Sequence, residues 1–251
     1  MKITILGCGS SGGVPLIGND WGACDPANPL NRRMRVSALV EKGPTTILID
    51  MAPDARTQLL ACNAKIISAV IITHAHGDHC HGIDELRFMS RLTGKPIDVY
   101  ADGPTMRELE ARFDYVFHGN KPFYDPVGVP HVVDGPFEVG GIRITPFAQE
   151  HGSGQTLGVR LDDFAYSTDV KTLDEAAFAK LAGIKTWVVD CVREEPHPTH
   201  SHLAQTLEWI ARVKPQRAYL THMNETLDYT ALSAKLPPGV WPAHDGLVFE
   251  C

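Results

Sequence analysis

The sequence predicts an α/β protein in which two β-sheets pack face to face and helices cover their outer sides. Apolar segments of strand length dominate the first half of the chain, and in the second half such segments alternate with helical patterns. Strands joined in hairpins and followed by strand–helix units form two packed sheets with helices outside. The 251 residues contain no internal repeat and no linker, so we expect one domain over residues 1–251.

Short apolar runs bounded by Gly, Pro and polar turn residues predict the strands. These strands cover residues 2–7, 36–41, 45–50, 69–73, 97–101, 137–146 with a turn at Gly140-Gly141, 157–161, 164–168, 186–190, 216–221 and 247–250. Apolar residues at helical spacing and a Pro or Asp at the start predict the helices. They cover 53–62, 82–92, 104–112, 174–182, 203–213 and 227–235. The segments 8–35 and 113–136 are expected to be irregular, and the prolines of the second predict a long loop over one face.

The composition is that of a globular protein, with 43% hydrophobic residues, 21% charged residues and a net charge of −7. This charge argues against an extended nucleic-acid surface, although bound cations would still admit a small anionic substrate. No apolar run has the length of a membrane span, and the strand-like start does not resemble a signal peptide, so we expect a cytoplasmic protein without membrane contact. The six scattered cysteines predict free thiols. The basic run 31–35 is either a solvated surface segment or a contact for substrate anions.

The most informative motif is the run His74-Ala75-His76-Gly77-Asp78-His79, which directly follows the apolar stretch 69–72. Three imidazoles and a carboxylate at the end of a buried strand are costly unless they hold a metal. Alternation along an extended strand end sends His74 and His76 to one side, where they can bind one ion. Asp78 and His79 follow as the chain turns into the next helix, so they suit a second ion.

Two metals need further ligands, and three candidates each follow a predicted strand. They are His151, Asp169 and His222. A carboxylate such as Asp169 can give one oxygen to each of two cations. Such a pair of ions can share a water or hydroxide that acts as a nucleophile.

With these residues the chain resembles the metallo-β-lactamase superfamily, because the run His74-x-His76-x-Asp78-His79 is followed by His151, Asp169 and His222 in the family's order. The resemblance implies a four-layer αβ/βα sandwich. It also implies that His74, His76 and His151 hold one metal, that Asp78, His79 and His222 hold the other, and that Asp169 bridges them. We therefore expect two divalent ions per chain, zinc or manganese, with iron as a third option.

Other segments look most like the phosphoribosyl cyclic phosphodiesterase branch of that superfamily. They are Gly7–Pro15, Asn31–Arg33, Ser37–Val40, His79–Arg87 and Pro198–His200. That branch carries further cysteines near the position of Cys24, where they form a separate structural zinc site. Here Cys24 stands alone and Asn224 replaces an expected His, so we expect the extra zinc site to be absent.

The resemblance implies hydrolysis of small cyclic or nucleotide-like phosphodiesters by a hydroxide that bridges the metals. The catalytic residues would be Asp78, in the metal centre, and His200, as the general acid that protonates the leaving alkoxide. His202 is the alternative candidate for the general acid. Its other interpretation is a capping or surface residue at the start of a helix. Candidate substrate contacts are His81, Asp84, Arg87, Ser10 and Ser11. Each position also has another interpretation. His81 could instead orient His79, Asp84 could interact with the helix dipole, and Arg87 could be a solvated side chain. Ser10 and Ser11 could belong to a tight glycine turn.

Three other functions stay open. The same nucleophile could attack a thioester or lactone carbonyl. A ribonuclease Z-like RNA endonuclease is less favoured, because the chain is acidic and shows no protruding basic arm. A metal-binding accessory protein without turnover is disfavoured by the complete ligand set. The expected partner is a small anionic ester, and a homodimer is left open.

Overall fold

The computed structural model describes residues 1–152 and 154–251. Over these ranges the strands of the first sheet are β1 (Lys2–Gly7), β2 (Ser37–Lys42), β3 (Thr45–Ile49), β4 (Ala69–Ile71), β5 (Ile97–Ala101), β6 (Gly128–Val132) and β14 (Val248–Glu250). Those of the second sheet are β7 (Phe137–Val139), β8 (Ile142–His151), β9 (Gly154–Leu161), β10 (Phe164–Ser167), β11 (Thr186–Asp190), β12 (Arg217–Thr221) and β13 (Val240–Pro242).

Eight α-helices are present in the described ranges. They are α1 (Ala55–Ala61), α2 (Gly77–Cys80), α3 (Leu86–Thr93), α4 (Gly103–Arg112), α5 (Asp114–Phe117), α6 (Glu175–Leu181), α7 (Leu203–Val213) and α8 (Tyr229–Ser233). Short 3-10 turns lie at Pro29–Asn31 and Ile83–Glu85. Side-chain caps begin several helices, since Asp102, Asp174 and Asp228 each accept a hydrogen bond from a backbone N–H of the first turn.

Each sheet is antiparallel on one side and parallel on the other. The first sheet has the order β14-β1-β2-β3-β4-β5-β6, antiparallel from β14 to β3 and parallel from β3 to β6. The second has the order β13-β12-β11-β10-β9-β8-β7, parallel from β13 to β10 and antiparallel from there to β7. The carboxyl ends of β3 and β4, and those of β10, β11 and β12, therefore meet at one edge of their own sheet.

Strand alternation divides the apolar side chains of the first sheet between two cores. Val40 and Ile47 pack with residues of the second sheet, such as Phe164, in a core between the sheets. Leu39 and Leu48 lie on the opposite face, in a core that also contains buried residues of α1, α3 and α4. This arrangement confirms the predicted αβ/βα sandwich.

Two strands were not predicted from the sequence, and both are edge strands that contain proline. β6 lies inside 113–136, which we expected to be a loop, and β13 lies in a segment left unassigned. A proline cannot donate a ladder hydrogen bond, so Pro130 and Pro242 are tolerated only because each strand closes one side of its sheet. α5 also lies in the expected loop.

The six cysteines are free, as expected. Across the described ranges, no helix is both long and apolar enough to cross a bilayer.

Candidate metal centre

The predicted metal ligands converge where the two sheets present their parallel strand ends. Asp169 follows β10 and His222 follows β12, whereas His74 comes shortly after β4 and His151 is the last residue of β8. Each of these side chains is at most 8% exposed. Because they extend from strands that are fixed by their neighbours, their positions are set by the sheets.

Potential ligand atoms form two groups on either side of Asp169. In the first, His74, His76, His151 and Asp169 each offer an atom within 4.8 Å of the others. His74 Nε2 and His76 Nδ1 are only 2.9 Å apart. In the second, Asp78, His79 and His222 meet the same 4.8 Å limit. The structure thus brings together all seven residues that the sequence predicts as ligands.

Asp169 faces both groups with different oxygens. Its Oδ2 is 3.7 Å from His74 Nε2 and 3.7 Å from His151 Nε2. Its Oδ1 is 3.2 Å from His79 Nε2 and 3.3 Å from His222 Nε2. This is the placement required of a carboxylate that gives one oxygen to each of two cations.

Three imidazoles are held through Nδ1, which leaves Nε2 free for the centre. His79 Nδ1 is 2.7 Å from Asp50 Oδ2, and His200 Nδ1 is 3.2 Å from Asp190 Oδ2. His151 Nδ1 is 2.7 Å from the Thr199 carbonyl oxygen. Such partners fix the tautomer and ring orientation of metal-binding histidines.

A glycine permits the third of these contacts. Gly152 has φ +67°, and a Cβ there would lie 2.6 Å from the Thr199 side chain. Only a residue without a side chain lets the 199 segment approach closely enough to bond with His151.

The donor set fits divalent cations. His79 Nε2 and both ring nitrogens of His222 are buried and have no hydrogen-bond partner among the described residues. Unpaired buried polar atoms are costly, and a cation at this position would satisfy the Nε2 atoms of His79 and His222. Imidazole and carboxylate ligands suit zinc, manganese and iron.

Opposite charges shift the pKa values within the cluster. Burial disfavours the charged form of His222, but Asp169 and Asp78 outweigh it and raise its pKa to about 9. Burial likewise opposes ionisation of Asp169, yet His222 and His79 hold the pKa of that carboxyl well below its usual range. His74 differs, because burial and the neighbouring His79 lower its pKa. Metal binding would release the protons held on His79 and His222.

Three residues at these strand ends adopt left-handed backbone conformations. Asp50, Asp169 and His222 have φ values of 61°, 51° and 58°. Non-glycine residues in this region cost of order 1–3 kcal/mol each and persist where the surrounding structure imposes them, often at functional sites.

A cavity of about 550 Å³ opens onto the cluster. Its wall includes His200, Ser11 and Gln155, and α4 contributes Glu108 and Arg112. The Arg112 guanidinium donates to the Ala75 carbonyl oxygen and pairs with Glu108 at 2.5 Å. The mouth of the cavity therefore carries the positive charge of Arg112, which the Glu108 carboxylate partly balances.

The two candidate general acids differ in position. His200 lines the cavity, with Nε2 3.8 Å from Asp169 Oδ2, and forms a further group of potential ligands with Asp169 and His222. His202 precedes α7 and is absent from the cavity wall. The geometry therefore favours His200.

Of the expected substrate contacts, only Ser11 lies in the cavity wall. Ser10 is buried behind it, where its N–H donates to the Met223 carbonyl oxygen. The other three expected contacts are His81, Asp84 and Arg87. They lie in or just after the turn formed by α2 and Ile83–Glu85, which places them away from the centre. The imidazole of His81 packs over Gly77, Asp84 accepts a hydrogen bond from Tyr115, and Arg87 stacks over Tyr124.

Asp50, Asp190 and Arg112 were not predicted from the sequence. The two aspartates carried a usable signal, because each comes at the end of an apolar strand run, just as Asp169 follows a strand. The two runs are Thr45–Asp50 and Thr186–Asp190. Arg112 carried none, because an Arg in the last turn of an exposed helix looks like a solvated residue.

Comparison with known proteins identifies the family. Residues 45–223, which contain all seven ligand positions, match the β-lactamase superfamily domain model. The chain belongs to the metallo-β-lactamase superfamily. A crystal structure described as a new diphosphatase from the PhnP family is similar to this superfamily member at TM-score 0.92 and 34% identity, covering 100% of this chain and 97% of that chain. The chain therefore lies in the PhnP-like branch.

Curated relatives carry different names. An octanoyltransferase of Porphyromonas gingivalis is 29% identical over 98% of this chain, but the chain spans only 51% of that protein. The anti-Pycsar protein Apyc1 of Paenibacillus harenae is 28% identical over 76% of this chain and 84% of that protein. A ribonuclease Z of Azobacteroides pseudotrichonymphae is 28% identical over 46% of this chain and 36% of that protein. These names do not agree on one activity.

Proposed function

We propose that this superfamily member is a two-metal hydrolase that cleaves small cyclic or nucleotide-like phosphodiesters. The observation that carries the proposal is Asp169, whose two oxygens face the histidines of different ligand groups at 3.2–3.7 Å. When bound, two cations would lower the pKa of a water and neutralise charge on the phosphoryl oxygens. Likeness to a PhnP-family diphosphatase supports phosphorus chemistry.

The chain's own residues divide into three roles. One cation would be held by His74, His76 and His151, the other by Asp78, His79 and His222, with Asp169 between them. Zinc and manganese both suit these ligands, with iron as a third option.

His200 would deliver the proton to the leaving oxygen. Asp190 holds its Nδ1, so a proton on Nε2 faces the cavity. An imidazole with this orientation can protonate an alkoxide as it departs.

Arg112 would contact a second anionic group of the substrate. Its side chain is 42% exposed, lies in the cavity wall and is oriented by Ala75 and Glu108. A guanidinium held in this way suits a phosphate or carboxylate. The same proposal places the protein in the cytoplasm, with one domain over residues 1–251 and a small anionic ester as its partner, and it leaves a homodimer open.

A substrate panel tests the reaction class. Protein loaded with zinc or manganese is assayed with a cyclic nucleotide, bis(p-nitrophenyl) phosphate, a dinucleotide linked by diphosphate, a thioester, a lactone and a precursor transfer RNA. We expect turnover of the phosphorus esters to exceed that of the carbonyl esters. Faster cleavage of the thioester or lactone would replace the proposal with a carboxylic ester hydrolase, and selective RNA cleavage would replace it with a ribonuclease Z-like activity.

Leaving-group dependence tests the role of His200. Replacement H200A should slow hydrolysis of an alkyl phosphodiester by roughly 10²–10⁴-fold, but slow a nitrophenyl ester much less, because nitrophenolate departs without a proton. H202A is the control and should leave both rates within twofold. Equal loss on both esters at unchanged metal content would contradict the assignment.

Substrates with and without a second anionic group test Arg112. R112A should raise KM by roughly tenfold for a nucleotide diester that carries an additional phosphate, because a charged hydrogen bond is lost. It should leave KM for bis(p-nitrophenyl) phosphate nearly unchanged. E108Q, which frees the guanidinium, should lower the first KM. An equal fall in kcat for both substrates would indicate only a structural contact with Ala75.

A further inference from the structure

A second groove, separate from the metal cavity, lies between α3, the start of β5, α5 and the segment after it. Its volume is about 880 Å³, larger than the cavity over the metal centre, and none of its lining residues is shared with that cavity. The hydrolytic proposal does not use it.

The groove is basic in an acidic protein. Four cations line it, Arg87, Arg91, Lys95 and Lys121, together with one carboxylate, Asp125. The whole chain carries a net charge of −7. An excess of positive charge at one place on an acidic surface attracts anions locally.

The four cations have no carboxylate partner in the ranges that the structure describes. In the described part of the chain, none of them forms an ion pair within 4 Å, and none donates a side-chain hydrogen bond. Some exposed cations elsewhere are paired, as Lys42 is with Asp162 and Lys235 with Glu194, whereas others, such as Lys65 and Lys180, stand singly without a pair among the described residues. Grouped like charges repel one another, so this arrangement is favourable when an anion lies among them.

Aromatic rings line the same groove. Phe123 is 75% exposed and Tyr124 is 59% exposed, although large aromatic side chains normally bury their faces. The Arg87 guanidinium lies 5.2 Å from the centre of the Tyr124 ring, which positions that ring beside the cations. Tyr115 completes the aromatic wall and is fixed by its hydrogen bond to Asp84 at 2.6 Å.

We propose that this groove binds a nucleotide, either free or at the end of a single strand. Phosphate would lie among the four cations and the base would stack on Phe123 or Tyr124. Proteins that bind single-stranded nucleic acid without sequence readout combine these same two elements, a basic groove and stacking aromatic rings. The groove is too local to serve as the extended nucleic-acid surface that the net charge argues against.

Fluorescence anisotropy of the full-length protein tests the proposal with a labelled oligothymidylate of eight residues, competed by AMP or by inorganic phosphate. We expect micromolar-range binding that weakens with salt and is displaced by AMP far better than by phosphate. Full displacement by AMP identifies a single-nucleotide site. Binding of the oligomer that AMP displaces only in part identifies a strand end.

Two variants separate charge from stacking. The double replacement R91A/K95A should reduce the slope of log affinity against log salt by about 2, whereas R91K/K95R should preserve it. Y124L should weaken binding roughly tenfold without changing that slope. R143A, on the other sheet, is the matched charge control, and thermal melting confirms that each variant is folded.

The proposal is overturned by any of three results. These are no binding of either probe at 50 mM salt, equal competition by inorganic phosphate and AMP, or affinity that none of the groove variants alters. Capture of a labelled polyglutamate peptide with no capture of the nucleotide probes would assign the groove to an acidic protein segment and would likewise overturn it. The groove variants share no position with the metal cavity, so their effect on affinity distinguishes this proposal from nucleotide binding at the hydrolytic site.

Discussion

The pKa values of two carboxylates, the buried Asp169 and the partly buried Asp245, shift in opposite directions. Asp169 is surrounded by imidazoles, and they keep its pKa well below the usual range despite burial. Asp245, between β13 and β14, accepts hydrogen bonds from the backbone N–H groups of Cys8 at 3.1 Å and Met34 at 2.7 Å. Burial raises the pKa of Asp245 to about 7, because these neutral donors and the more distant Arg33 do not offset it. The neighbouring imidazoles, more than burial, therefore decide that Asp169 is the ionised carboxylate of the two.

The largest effect is expected when Asp169 loses its charge and keeps its shape. D169N should lower hydrolysis by about 10²–10³-fold or more, because one electrostatic element of the centre is lost. It should also reduce bound metal below two ions per chain, as measured by elemental analysis. D162N is a matched control, since Asp162 also has φ 51° but lies exposed beside Lys42. Full metal content and rate in D169N would refute the bridging role.

A smaller effect is expected from replacing Asp50, because this carboxylate acts on the centre through His79. D50N weakens the anchor of His79 and should lower metal affinity about 10–100-fold, measured by competition with a chelator. D98N breaks a His–Asp contact of the same 2.7 Å length, with His131 on the outer part of the first sheet, and should leave metal affinity unchanged. Equal losses in both variants would show that Asp50 contributes only to general stability.

The third effect concerns Asp245 and appears as a pH dependence of stability, with no change in activity expected. In the unfolded chain this carboxyl loses its proton near pH 4, whereas in the folded protein it keeps the proton until about pH 7. The folded state then binds more protons between these values, so stability falls as pH rises from 4 to 7, by on the order of 2–4 kcal/mol. D245N should remove this component. Urea unfolding of both proteins at pH 5, 6, 7 and 8 would show it, and parallel curves would contradict it.

Sequence patterns predicted the sandwich and the seven ligand positions because strand ends and ligand spacing are local signals. The predicted strand ends were enough to group the ligands into one site. These ligands are the run 74–79 and the strand-end residues His151, Asp169 and His222. The edge strands β6 and β13 escaped prediction because their prolines resemble loop residues. The substrate contacts were assigned to His81, Asp84 and Arg87 because they follow the motif, but the tight turn after His79 directs them elsewhere. Arg112 reaches the cavity only through the packing of α4, which no local pattern encodes.

The division of the site between two sheets has a consequence for how the protein is assembled. His74, His76, Asp78 and His79 lie in the segment after β4 of the first sheet, whereas His151, Asp169 and His222 lie at the ends of β8, β10 and β12 of the second. During synthesis the first four emerge long before the bridging carboxylate exists. A nascent chain therefore has incomplete ligand sets, and the long separation between the halves makes their pairing a late event. The complete set of seven candidate ligands therefore exists only once the two sheets have packed against each other.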